Sequence, residues 1–292
     1  MDLCTAFCSI DDGVARWLHR ARKHPSPMRS VNQAASAIRL TPAAVEFQVG
    51  TSVSANQRAG SFRLHEVTLT DYVVLRLMEL CSPWVKVVTF TPRSERRLGA
   101  DLELWITDQS GRWIGLRVQC KAQDHQGTIP GLDYAPGGTR QSSQLVSTAG
   151  AVQGCVPVYL VFALSPRGMG PSSCHCPARP CPHQRRGAWW VSAATVDRLR
   201  PSGPVPLQSL GPLVPFPCLV CCWHPHHLAQ HAVQSVARAL HSAGLADDSL
   251  EPVDEPPLYV QLAREREPAA VAAMLGDRPV RHLVILDLAE SS

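Results

Sequence analysis

Residues 101–121 read DLELWITDQSGRWIGLRVQCK, and the alternation inside this stretch decides the fold. Gln109-Ser110-Gly111 is a three-residue loop with glycine at the left-handed position, a common hairpin closure. It pairs Asp108 with Arg112, so Leu102 faces Val118, Leu104 faces Leu116 and Ile106 faces Ile114. One side of the hairpin is then wholly aliphatic and must be buried. The other side carries Asp101 opposite Gln119, Glu103 opposite Arg117 and Trp105 opposite Gly115, with Lys121 projecting the same way. A slip of one residue would move Asp101 onto the aliphatic side. The expectation is a pair of strands, 101–107 and 112–121, with a carboxylate, an amide and an ammonium at one end.

Lysine is scarce in this chain. Of 28 basic residues only Lys23, Lys86 and Lys121 are lysines, so its presence at the close of Gln119-Cys120-Lys121 is informative. A compact ammonium delivers a point charge that a planar guanidinium does not. Upstream, a helix is expected over Leu64–Leu80, where Leu69, Val73, Leu77 and Leu80 recur at spacings of 4, 4 and 3. Glu66 lies three residues before Leu69 and projects from about the same stripe. An inward carboxylate needs a partner, and a divalent cation shared with Asp101 would satisfy both. Mg²⁺ (or Mn²⁺) suits such a site, because it takes a few carboxylate or carbonyl oxygens and keeps waters. The chemistry would be phosphodiester hydrolysis by a metal-activated water. Lys121 would stabilise phosphoryl charge or orient the water, and Gln119 would orient a water or lend the metal its carbonyl oxygen. An ordinary structural account also fits: Asp101 as a turn residue, Glu103–Arg117 as a surface cross-strand pair, Lys121 as a solvated strand end.

Working outward, 292 residues suffice for one generous domain or two small ones. Hydrophobic content of 45% and charged content of 18% describe a globular chain. A net charge of +4 permits a polyanionic partner without announcing one. No apolar run approaches the ~18–20 residues of a membrane span, and no signal peptide is evident. Eleven cysteines in that context suggest reduced thiols or metal ligands in a cytoplasmic protein.

Further elements are expected as a strand over Lys86–Thr91, a helix over Gln141–Val152 and a buried strand over Val156–Leu164. Trp189–Arg200 restarts ordered structure, Cys218–Cys222 reads as a short strand and Leu228–Ala243 as a helix. The tail reads as strand Leu258–Leu262, helix Pro268–Leu275 and strand Leu283–Leu288. The class is α/β (α+β) with a central sheet. Residues 1–60 form an N-terminal helical appendage and 61–245 the core, with a Cys/His-rich insertion at 165–187. Residues 246–292 form a C-terminal β-α-β extension packed on it. The Gly-containing segment from Gln126 to Arg140 is a candidate lid.

Two clusters stand outside this hairpin. Cys174, Cys176, Cys181 and His183 crowd a Pro-rich loop that a structural Zn²⁺ would order. Cys218 and Cys221 have the two-residue gap that lets both thiolates reach one ion. The zinc site is either local to the loop or joins Cys176 and Cys181 to Cys218 and Cys221. Packing alone also accounts for the last two. Arg93, Arg96 and Arg97 precede Asp101 and are candidates for contacts to backbone phosphates.

Glu66, then Gly99-Ala100-Asp101, then Val118-Gln119-Cys120-Lys121 resembles the PD-(D/E)xK restriction-endonuclease-like superfamily, in its Mrr-like Gln-x-Lys variant. Adding Phe90-Thr91, Glu95, Pro157-Val158-Tyr159 and Cys218–Cys222, residues 62–225 resemble an uncharacterised bacterial defence-associated family. The resemblance implies a mixed sheet flanked by helices with the site at one sheet edge. It implies a Mg²⁺-dependent deoxyribonuclease acting on foreign DNA, alone, as a homodimer or with a partner defence protein. Its catalytic residues would be Glu66, Asp101, Gln119 and Lys121, with Glu66 and Asp101 on the metal. The superfamily's third carboxylate is here Gln119. The alternative is a catalytically inactive module of the same fold, stabilised by zinc, that binds nucleic acid or a partner.

Overall fold

The computed structural model describes residues 65–81, 84–90, 100–124, 126–132, 134–135, 138–163, 187–216, 219, 228–247, 249–275 and 280–289. In chain order the elements are α1 (Glu66–Cys81), β1 (Val85–Thr89), β2 (Leu102–Thr107), β3 (Trp113–Ala122) and β4 (Thr128–Ile129). Next come α2 (Gln141–Gly150), β5 (Cys155–Phe162), β6 (Ala188–Ser192), α3 (Ala193–Leu199), β7 (Val205–Pro206) and β8 (Val214–Pro215). The last are α4 (Leu228–Ser242), α5 (Leu258–Arg264), α6 (Pro268–Leu275) and β9 (His282–Asp287).

The β2–β3 hairpin closes as its turn chemistry dictates. Gly111 takes φ +74°, and its N–H donates to the Asp108 carbonyl at 3.0 Å. The ladder runs from Leu102↔Val118 to Thr107↔Trp113 in the register expected from the alternation. The Asp108 carboxylate then does two further jobs. Oδ1 accepts from the Ser110 N–H at 3.0 Å, and Oδ2 accepts from the Val233 N–H at 2.8 Å. Val233 follows a kink in α4 at His231 (φ −138°), so Asp108 caps the resumed helix and ties α4 to the turn.

Around the hairpin a seven-stranded mixed sheet runs β1-β9-β2-β3-β5-β6-β8. β9 pairs antiparallel with β1 and parallel with β2, and β3 pairs parallel with β5. The aliphatic side, with Leu102, Ile106, Ile114, Leu116 and Val118, packs under α1 and α4 through Leu69, Val73, Leu77, Val236 and Leu240. The opposite side, with Trp105, Tyr159 and Ile285, packs under α2, α3, α5 and α6. Both faces are covered, which is why β5 and the middle of β9 are near-continuous apolar runs and why even the polar residues of β3 are buried. Among the described residues no helix is long and apolar enough to cross a membrane.

The tail differs from its sequence reading. Leu258–Arg264 is a helix, so the C-terminal segment runs helix, helix, strand. A five-residue stretch with four apolar residues does not by itself distinguish strand from helix. Here Val260 and Ala263, three apart, share the buried side. Arg266 in the left-handed region (φ 64°) and the Glu267 N–H returning to the Leu262 carbonyl at 2.9 Å close the helix. Nor is the tail's last strand an addition at the margin, because β9 lies between β1 and β2. Residues 1–60 and the insertion at 165–187, apart from Gly187, lie outside the described residues, as do Cys218, Val220, Cys221 and Cys222 of the expected strand.

Gly115 shows how tightly the second face is packed. A Cβ there would stand 2.7 Å from Cε2 and Cζ2 of Trp105, whose side chain is fully buried. Gly115→Ala is therefore expected to cost about 1–3 kcal/mol through overpacking. The check is a lower urea midpoint at unchanged m-value; a wild-type midpoint would mean the indole moves aside freely.

Candidate active site

The polar end of the hairpin is built from the start of β2 and the end of β3. The Asp101 main chain is fixed on both sides. Its N–H donates to the Val118 carbonyl at 2.9 Å, and its carbonyl accepts from the N–H groups of Arg281 (3.0 Å) and His282 (3.1 Å) at the start of β9. This clamp aims the carboxylate at β3, where Oδ2 accepts from the Cys120 N–H at 2.7 Å and from Gln119 Nε2. Gln119 Nε2 also donates to the Cys120 carbonyl at 3.1 Å. Two oxygens, Asp101 Oδ2 and Cys120 O, thus converge on one electropositive nitrogen.

Lys121 is buried, and its Nζ lies 3.7 Å from Glu66 Oε1 at the first residue of α1. Glu66 is half-exposed, so this pair opens to solvent while the ammonium stem does not. The chain at Gly131 (φ +72°) passes close over the lysine, a Cβ there standing 3.8 Å from Nζ. The structure thus brings the four expected residues together in two pairs, Asp101 with Gln119 and Glu66 with Lys121. The first half of the segment expected as a lid is packed, while Tyr134, Ala135, Gly138 and Thr139 are exposed. Ile129 and Leu132 are buried, and Thr128-Ile129 pairs with Val205-Pro206.

Two residues escaped the sequence reading of the site. Gln141, the first residue of α2, donates from Nε2 to Gln119 Oε1 at 2.7 Å. Tyr159 sits directly across the parallel β3–β5 ladder from Gln119 and is fully buried. Among the described residues neither Gln141 Oε1 nor the Tyr159 hydroxyl has a hydrogen-bond partner. Burial pushes the Tyr159 phenol up, and the carboxylates of Asp197, Asp101 and Glu66 push it further, so it stays protonated. The Cys120 thiol is likewise held well above its usual range, first by burial and then by the Asp101 charge. It is a packed thiol facing Thr70 on the aliphatic side, not a nucleophile.

A second acid on α1 faces β9. Asp71 accepts from Arg281 Nε (2.9 Å) and Nη2 (2.7 Å), and lies 2.7 Å from His282 Nε2. Burial would raise its carboxyl, but the hydrogen bonds and charges of Arg281 and His282 outweigh that and hold it low. These contacts fix the start of β9, which in turn holds the Asp101 carbonyl.

Further along the same face, Glu103 and Arg117 are not a surface pair. Both are buried, and α2 and α5 cover that side of the hairpin. Glu103 Oε2 accepts from Arg117 Nη2 at 3.0 Å, while Oε1 accepts from Trp105 Nε1 at 2.7 Å and from the Tyr259 hydroxyl.

Arg93, Arg96 and Arg97 lie outside the described residues, as do Cys174, Cys176, Cys181, His183, Cys218 and Cys221. Among the described residues no group of three or more His, Cys, Asp or Glu side chains is placed to hold a metal ion. The donors present are two carboxylates, a main-chain carbonyl and an amide. That set does not suit zinc, but it fits Mg²⁺ or Mn²⁺, which complete their shells with water and phosphate oxygens.

Fold and cluster together define an α/β protein with a mixed central sheet flanked by helices and an acid–amide–lysine cluster at one end of its central hairpin. The chain belongs to the DUF6615 family, a family of unknown function, whose model matches residues 42–291. No curated protein matches it.

Proposed function

We propose that the chain is a metal-dependent endonuclease of the restriction-endonuclease-like kind, hydrolysing phosphodiester bonds in DNA. One observation carries this reading: the Gln119 amide nitrogen stands between Asp101 Oδ2 and Cys120 O, with the Lys121 ammonium two residues on. Two oxygens turned toward one electropositive group favour positive charge beside them, which a small divalent cation would supply. A bound Mg²⁺ or Mn²⁺ would supply Lewis acidity toward the scissile phosphate and acidify a water. Asp101, the Cys120 carbonyl and the turned Gln119 amide would hold the ion, with Glu66 reaching it through water or directly. Lys121 would hold its ammonium against a phosphate oxygen as charge develops. Service against foreign DNA in a bacterial host follows from the superfamily resemblance alone.

Plasmid conversion tests the reading. Supercoiled DNA should be nicked with Mg²⁺ or Mn²⁺ and left intact with EDTA. No cutting of plain, modified or single-stranded DNA with either metal would reject it. The Gln119 amide also favours a second reading, an inactive module of the same fold, since a neutral side chain fills the position itself. That module would bind DNA or a protein partner equally well with and without metal.

A further inference from the structure

The Gln119 amide presents the wrong end to be a metal ligand, and its neighbour shows how it turns. In the structure Gln119 Nε2 serves Asp101 Oδ2 and Cys120 O, so Gln119 Oε1 points away and accepts from Gln141 Nε2 at 2.7 Å. That order leaves Gln141 Oε1 buried without a partner among the described residues. An unsatisfied buried acceptor is costly, and a buried amide with one end idle is a conspicuous arrangement. The Tyr159 hydroxyl, across the ladder from Gln119, is idle as well.

We propose that Gln119 and Gln141 form a coupled amide switch, in which Gln141 is the positioning residue that sets which end of Gln119 faces Asp101. The proposal rests on the metal reading above. A half-turn of both amides exchanges donors for acceptors without moving the backbone. Gln119 Oε1 then joins Asp101 Oδ2 and Cys120 O as a third oxygen around the cation. Gln119 Nε2 donates to Gln141 Oε1, the atom that was idle. The Gln141 nitrogen takes the place that Oε1 held. The pair therefore stabilises an empty site by one polarity and a filled site by the other. This gives a chain lacking the third carboxylate a ligand that appears only when a cation is present.

Mn²⁺ binding to the full chain, followed by titration calorimetry without DNA, tests the switch. Gln141→Glu offers only acceptors to Gln119 and presets its carbonyl toward the metal. It should tighten Mn²⁺ about fivefold, the worth of one net hydrogen bond. The added charge alone would also tighten binding, so the comparison is repeated with Gln119→Leu present. The gain there must be smaller by that factor, leaving only what the charge supplies; an equal gain in both backgrounds, or none in the wild-type background, overturns the switch while leaving the metal site standing. Binding by neither wild type nor Gln141→Glu removes both the metal site and the switch. Wild-type side-chain amide NMR under Mg²⁺ gives a check free of substitutions. Resonances of Gln119 and Gln141 should shift together, and a shift confined to Gln119 sinks the coupling.

Discussion

Lys121→Met should lower metal-supported plasmid nicking by about two to three orders of magnitude, the usual effect of deleting one preorganised charge stabiliser. Lys121 is 5% exposed and carries its ammonium to 3.7 Å from Glu66 Oε1 at the open end of the hairpin. Methionine keeps an unbranched apolar stem and removes only the charge. Glu66 is the partner left behind, and at 37% side-chain exposure it remains solvated, so the fold should lose at most about 1 kcal/mol. Rate and stability therefore separate in this variant, which an ordinary ion pair would not allow. Arginine should fail to rescue. Its planar fork is larger than the ammonium that the chain at Gly131 passes over. Equal nicking rates for wild type and Lys121→Met, at matched thermal midpoints, would remove Lys121 from the chemistry.

The hairpin was legible because its information is local. A glycine turn, strict alternation and the cost of a misplaced Asp101 leave one register, and the structure adopts it. Asp101 beside Gln119 follows from that register alone. Glu66 was legible as an inward carboxylate expected to share a cation with Asp101, but its pairing with Lys121 was not, since helical spacing gives a face and not the distance to a strand. Other features depend on partners distant in sequence. Nothing within Leu258–Leu262 says that it will coil against the sheet, and nothing in His282–Asp287 says that it will enter between β1 and β2. Gln141 and Tyr159 were illegible for the same reason. A parallel ladder has no turn to fix its register, so the pairing of Tyr159 with Gln119 becomes visible only in three dimensions. Glu103–Arg117 was placed opposite one another correctly but at the wrong depth, because a lone cross-strand ion pair looks alike on a solvated face and beneath two helices.

That buried pair carries the largest expected stability effect. Arg117 gives Nε and Nη2 to Glu103 Oε2 and Nη1 to the Thr148 carbonyl on α2, the last at 2.5 Å. Burial opposes the charge on Arg117, yet the Glu103 carboxylate outweighs it and holds the guanidinium protonated. Arg117→Met would strand the Glu103 charge in the interior, at a cost of about 3–5 kcal/mol. For a domain of this size each kcal/mol lowers the midpoint by about 2–4 °C, so a fall on the order of 10 °C is expected in thermal denaturation. Glu103→Gln added to Arg117→Met should recover more than half of that loss. The stranded charge disappears, while the amide carbonyl still accepts from Trp105 Nε1 and Tyr259. A single variant within about 1 kcal/mol of wild type would show that water reaches Glu103 and that the pair is dispensable. The consequence reaches the site through α2. Arg117 holds Thr148, near the end of the helix whose first residue is Gln141, so losing it should also loosen the amide that meets Gln119.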